Sequence, residues 1–402
     1  MNAGSPGSGW APLKDMRVLD FSAQLPGPMT TSILADLGAT VIKVEPPGGE
    51  FGRRLPGGLF DRVNRGKRSI VVDLKAAAAG KIISRLAAWA DVVIETFRPS
   101  VADRLGIGPD ALRSINPKIV YCSLSGFGQT GPWRDLPGHD LTYLAASGAM
   151  GLPGEWDQPP HRSSLLIGDL SGGSFAVSAI LAAAIERGKT GVGCYIDMSL
   201  FESALYCVGT RTAFNEENGP RDHLFPTQGL FKTSDGALLA TAIVEQHFWK
   251  QFLAVVGDLD PELRSPQFDT PEDRFHAGDV LYERLRRLFG TRTSSDWEAI
   301  FHRTGLPVEI CLSPVQAGRT DHVLSRGVLT ERGGRKYCPF PVMVDGDRRP
   351  GRRATPAPNA GEDSFAILKE LGFEQGELEE FVESGVVAPP ESGDVSLRKK
   401  EG

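Results

Sequence analysis

His139 and Asp140 follow the Pro137-Gly138 turn of "LPGHDLTYLAASG", and Asp169 opens the run "GDLSGGSFAVSAILAAAIERG". An imidazole and a carboxylate are suited to moving protons near neutral pH, and a carboxylate can also attack an activated acyl carbon. Asp169 stands where a long apolar helix is expected to begin, among Gly168, Gly172 and Gly173. There it either caps the helix or faces a ligand beside free main-chain N–H groups. His139, presented by a turn rather than set on an apolar face, is either a structural hydrogen-bonding group or a proton carrier. Glu245 in "AIVEQHFWKQF" opens another helix, a position that favours acidic residues in any case. Positive charge gathers at Arg65, Lys67, Arg68, Arg98 and Arg104, near strand ends where open parallel sheets bind ligands. These cations are either solvated or hold an anion.

Other chemistries lack their residues. None of the seven histidines pairs with Cys or His at metal-ligand spacing, so no metal site is expected. Neither a GxSxG elbow nor a Walker A sequence occurs. The stretch Gly126 to Gly131 fits GxGxxG after a strand, but Pro132-Trp133-Arg134-Asp135 follows instead of an apolar helical period. A dinucleotide would lack its helix N-terminus there. The five cysteines are scattered with no CxxC, which predicts reduced thiols in a cytoplasmic protein. The start has no apolar h-region and eighteen uncharged apolar residues never run together, so neither export nor a membrane span is expected. A net charge of −6 offers no bulk attraction to nucleic acid.

The elements that must carry these residues alternate. "MRVLDFSA", "TVIKVE", "RSIVVDLK", "DVVIETF", "KIVYCSLSGFG" and "CYIDMSL" read as strands. Apolar helical periods lie between them, including "GPMTTSILADLGA" and "AAAAGKIISRLAAWA". Alternation of this kind predicts an α/β protein with a Rossmann-like parallel sheet covered on both faces. Residues 1–15 form an expected loose arm, 16–224 the large domain, 225–330 a smaller α/β domain, and 331–402 a return to the large domain with a charged tail.

The succession "VLDFSAQLPGPMTTSILADLGATVIKVEPPGG", "NRGKRSIVVDLK", "FRPSVADRLGIGPDALRSINPKIVYCSLSGFGQTGP", "PGHDLTYLAASG", "GDLSGGSFAVSAILAAAIERGKTG" and "VEQHFW" resembles the class III CoA-transferase family. That family groups carnitine and bile-acid CoA-transferases with α-methylacyl-CoA racemase. The resemblance runs from Met16 to about residue 387. It implies an interlocked homodimer acting on an acyl-CoA, with no cofactor beyond the coenzyme A of the substrate and no nucleic-acid or membrane partner. It also implies that Lys67 and Arg104 touch the CoA nucleotide portion.

Asp169 matches the family's shared aspartate. In the transferase branch that carboxylate becomes a mixed anhydride; in the racemase branch an Asp and a His exchange a proton with the two faces of the thioester α-carbon, through an enolate held by main-chain N–H groups. The residue between "PG" and Asp is usually tyrosine in transferases and histidine in racemases, and here it is His139. Glu245 matches a glutamate that racemases supply to the histidine across the dimer. The resemblance therefore implies epimerisation at C2 of a 2-methyl-branched acyl-CoA. The alternative is CoA transfer to a carboxylic acid through an aspartyl anhydride, and "CYIDMSLFESAL" is closer to that branch.

Overall fold

The computed structural model describes residues 10–214, 219, 221–302, 304–332, 334–346 and 355–388. Residues 1–9 of the expected arm and the tail from 389 lie outside the described residues. Six strands build the main sheet: β1 Arg17–Asp20, β2 Thr40–Glu45, β3 Arg68–Val71, β4 Val92–Glu95, β5 Val120–Ser125 and β6 Tyr195–Ser199. All pairs are parallel, in the order β3-β2-β1-β4-β5-β6, with Val18 of β1 opposite both Val41 and Val92. Strands of this sheet read as continuous apolar runs because successive side chains enter opposite cores. Val18, Val41, Val92 and Val120 meet one layer of helices, whereas Leu19, Ile42, Val93 and Tyr121 meet the other.

The helices in chain order are α1 Pro26–Asp36, α2 Leu59–Val63, α3 Ala79–Trp89, α4 Val101–Arg104, α5 Pro109–Ile115, α6 Asp140–Ala146, α7 Ile167–Thr190 and α8 Leu200–Gly209. α1 and α7 bring Leu34, Ala176 and Ile180 to the first face. α3 and α5 cover the second with Ile82, Leu86 and Leu112, joined by Ile367, Leu368, Leu378 and Phe381 from the C-terminal helices Ser364–Glu370 and Gln375–Glu383. Those helices are tied to β3 at Ser69, whose N–H donates to Asp363 at 2.9 Å and whose hydroxyl accepts from the Gly361 N–H at 2.9 Å. By length and composition alone α7, at 24 residues, would pass as a membrane-crossing helix. Here its Gly172, Gly173, Ala176, Val177 and Ile180 are buried, and it packs on α1 and β5.

The chain separates into two units, and the boundaries differ from those expected. The first closes at Ala146, resumes over Leu165–Leu205 and resumes again at His322; the second is Ser147–Ser164 with Tyr206–Asp321. The segments 147–164 and, among the described residues, 206–214 and 221–224, expected in the large domain, belong to the second unit because apolar anchors tie them there. Trp156 is 5% exposed within its core, and the indole N–H donates to Asp279 at 2.8 Å. Leu224 joins the same core. That unit has an antiparallel sheet of β7 Gln228–Lys232, β8 Leu238–Ala242 and β9 Val308–Ile310. Helices α9 Gln246–Val256, α10 Pro271–His276, α11 Gly278–Phe289 and α12 Ser294–Phe301 enclose Trp249, Phe252, Phe268, Phe289 and Trp297. Capping boxes at Thr270/Asp273 and Thr293/Asp296 start α10 and α12.

Candidate active site

The sheet order reverses between β1 and β4, and ligands of doubly wound sheets bind at that point, beyond the carboxyl ends of the strands. A helix that follows a parallel strand begins at that edge, so α1 and α7 both start there. They approach closely because Gly173 has no side chain. A Cβ on it would come within 2.5 Å of Met29 Cε and 2.9 Å of the Pro26 carbonyl. The Thr30 hydroxyl donates across the gap to the Gly173 carbonyl at 3.0 Å and within its own helix to Pro26 at 2.8 Å. Gly173→Ala is expected to lower stability by about 1–3 kcal/mol by overpacking, read as a shift of the urea midpoint.

α7 begins at Ile167, so Asp169 lies within its first turn and is not the N-cap; Leu166 is the N-cap and offers no side-chain bond. The cap comes from another helix. The carboxylate of Asp140, 5% exposed at the start of α6, accepts the main-chain N–H of Asp169 at 3.1 Å. Asp169 is thus not the expected cap, and its own N–H is engaged rather than free. Gly168 makes room for the contact, because a Cβ there would meet Asp140 Oδ1 at 3.2 Å.

His139 immediately precedes α6. Its carbonyl accepts from the N–H groups of Thr142 at 2.8 Å and Tyr143 at 3.2 Å, and its N–H donates to the Thr142 hydroxyl at 3.0 Å. Its backbone is therefore held while its imidazole is exposed. The Asp140 bond thus sets the helix start that carries His139 against the one that carries Asp169.

Burial, reinforced by the neighbouring charge of Asp140, pushes the Asp169 carboxyl up to about 7. Such a group is poised to take and return protons near neutrality. Tyr143, 6% exposed, packs edge-on to Phe127 with ring centres 5.3 Å apart. Burial and the charge of Asp169 push its phenol up to about 12. Gly126 and Gly138 leave space for that ring: a Cβ on either would come within 2.6 and 2.4 Å of it. Of the GxGxxG glycines, Gly126 thus lets the loop after β5 pass close to Tyr143 while Gly128 and Gly131 adopt positive φ, and α6 follows only at Asp140.

The expected cation set divides. Lys67 is buried at 3% exposure, where its ammonium donates to Asp20 at 2.9 Å, Asn64 at 2.7 Å and the Pro28 carbonyl of α1 at 3.0 Å. All three donors are used inside the fold, which corrects its expected contact with CoA. Burial alone would push the Asp20 carboxyl up, but the ammoniums of Lys43 and Lys67 outweigh it and hold Asp20 well below the usual carboxylate range. Arg65 pairs with Asp36 and Arg68 with Glu370. Arg98 and Arg104 are exposed, Arg104 at the end of α4.

Glu245 belongs to the second unit, where it is the exposed N-cap of α9 and makes no side-chain cap bond. Sequence reasoning named His139, Asp140 and Asp169 but did not give the bond by which Asp140 joins the two helix starts. The signal available was the position of Asp140 directly after His139.

The family model for CoA-transferase family III matches residues 13–364. The chain is 34% identical over 387 residues to acetyl-CoA:oxalate CoA-transferase of Acetobacter aceti, covering 92% of this chain and 98% of the relative. It is 30% identical over 383 residues to the α-methylacyl-CoA racemase of Homo sapiens, covering 91% and 95%. The crystal structure of a CAIB/BAIF family protein from Brucella suis superimposes with a TM-score of 0.77 at 28% identity, covering 90% of this chain and 99% of that one. The match to the family model, with relatives aligned along nearly their whole length, shows that this chain is an enzyme of CoA-transferase family III, whose named members here include both CoA-transferases and acyl-CoA racemases.

Proposed function

We propose that this enzyme epimerises C2 of a 2-methyl-branched acyl-CoA by 1,1-proton transfer between His139 and Asp169. The observation that carries the reading is the Asp140 bond to the Asp169 N–H, which joins the helix start behind an exposed imidazole to the one holding a carboxyl near neutral pKa. One base takes the α-proton and the C–H electrons pass into the thioester, forming an enolate. The other group then delivers a proton to the opposite face, so the net change is inversion alone. The main-chain N–H groups at the start of α6 that the His139 carbonyl does not take, those of Asp140 and Leu141, suit the enolate oxygen.

Arg98 and Arg104 supply exposed positive charge for the CoA phosphates. Coenzyme A enters as part of the substrate, and no other cofactor is assigned. In the interlocked homodimer that this reading includes, Glu245 of the partner subunit steadies the imidazolium.

The test is incubation with a 2-methylacyl-CoA in heavy water. α-Deuterium incorporation with loss of configuration is expected. Because each base serves one face, His139→Gln should abolish epimerisation while one epimer still exchanges its α-proton. Equal exchange from both epimers in that variant would remove His139 from the mechanism.

CoA transfer is the second reading, favoured by the higher identity to acetyl-CoA:oxalate CoA-transferase. Here Asp169 attacks the thioester carbonyl and CoA thiolate leaves; the thiolate then attacks the aspartyl carbonyl of the mixed anhydride and releases the donor acid, the acceptor carboxylate displaces the thiolate to form a new anhydride, and the thiolate takes the acceptor acyl group as a thioester and frees Asp169. Hydroxylamine trapping at Asp169 with no α-exchange would replace the first reading with this one.

A further inference from the structure

We infer that Asp140 is a positioning residue for Asp169, fixing the first turn of α7 through the Asp169 main-chain N–H and setting a second carboxylate beside the Asp169 carboxyl. The inference rests on Asp169 being the reacting group, whichever of the two reactions it serves. Its geometric basis is the 3.1 Å bond, the 5% exposure of Asp140 and the close approach that Gly168 allows.

The other groups facing this turn do not supply such a charge. α1 offers Pro26, Met29 and Thr30, and α8 offers Leu200 and Ser203. β5 and the residue just before β6 bring Cys122 and Cys194 to the core under α7, both of them thiols. α6 adds Tyr143, whose phenol is neutral at physiological pH, with His139 just before it. Arg98 acts on Tyr143 as a cation and would draw a neighbouring acid down. Asp140 is the second contributor, after burial, to the raised Asp169 carboxyl. A buried like charge disfavours ionisation of its neighbour, so one carboxylate both orients the reacting group and keeps it protonatable near neutrality.

Asp140→Asn separates the two effects, because the amide oxygen still accepts the Asp169 N–H while the charge is gone. Asp169 is expected to titrate about one pH unit lower in this variant. The acid limb of the kcat/KM profile should move down by the same amount. Titration is read independently of activity from the 13Cγ shift of labelled aspartate, assigned with Asp169→Asn. Asp140→Ala should show the same titration shift together with a roughly tenfold or greater loss of kcat at its optimum, since the N–H bond is lost as well.

A purely structural role would lower the melting temperature of these variants without moving the titration. An unchanged Asp169 titration in folded Asp140→Asn overturns the inference. A shifted titration without α-proton exchange leaves it standing and removes the epimerase reading instead.

Discussion

Asp169→Asn is expected to lower kcat/KM by about a thousandfold or more, and at the same time to make the protein more stable at pH 8. Loss of rate follows because asparagine can neither remove the α-proton nor form an anhydride. The gain in stability follows from the environment of the carboxyl. Its folded pKa of about 7 lies above the ordinary 3.8, so between those values the folded state binds the proton more tightly than the unfolded chain. Stability therefore falls as pH rises through that window, and above 7 the full cost of a half-buried carboxylate is present. Asparagine carries no charge and avoids this cost. With allowance for its partial exposure, about 1–3 kcal/mol of extra stability is expected at pH 8, vanishing below about pH 4. Urea denaturation of both proteins at pH 4, 6 and 8 measures it. A stability difference independent of pH would mean that this carboxyl is not raised.

Lys67→Met is expected to lower stability by up to about 3–5 kcal/mol, because buried Asp20 loses its ion-paired ammonium and keeps only the charge of Lys43 and the hydroxyls of Ser22 and Thr31. Asn64 and the Pro28 carbonyl lose their donor as well. The Asp20→Asn/Lys67→Met double variant should be less damaged than the sum of the single ones, since the pair is coupled. Denaturant midpoints report both results. With all three donors used internally, the KM for an acyl-CoA should stay within about twofold in whatever fraction remains folded, as expected for a group that touches no phosphate. A tenfold rise in KM at unchanged stability would return Lys67 to the CoA site.

Much of the first unit was legible. Each main-sheet strand falls on an apolar run quoted from the sequence, and α1, Pro26–Asp36, falls on the quoted run "GPMTTSILADLGA". Local preference and burial on both faces act in the same direction there, so short-range pattern suffices. The segment 147–164 was not legible, because its place in the second unit depends on Trp156, which in sequence is one aromatic residue in a Gly- and Pro-containing loop.

In the site, residue type and spacing singled out Asp169 at an expected helix start and His139 on a turn, and the fold places them in the first turn of α7 and directly before α6. For Lys67 they left a solvated cation or an anion contact open, and the family resemblance implied the CoA contact. Basic character is a local property, but availability is not: Lys67 and Arg104 look alike as letters, and one is enclosed by Asp20, Asn64 and α1 while the other is exposed.

By itself, then, the order of residues determined the alternation of strands and helices, the glycines that let helices approach, and the side chains able to move a proton. Only the folded arrangement decided that Asp140 caps a helix 29 residues farther along the chain and that Lys67 faces inward. Periodicity acts over one turn or one pleat and leaves its trace in neighbouring letters. Hydrogen bonds and charge pairs between distant segments depend on which helix start packs beside which, and that is set when the sheet brings the carboxyl ends of its strands to one edge.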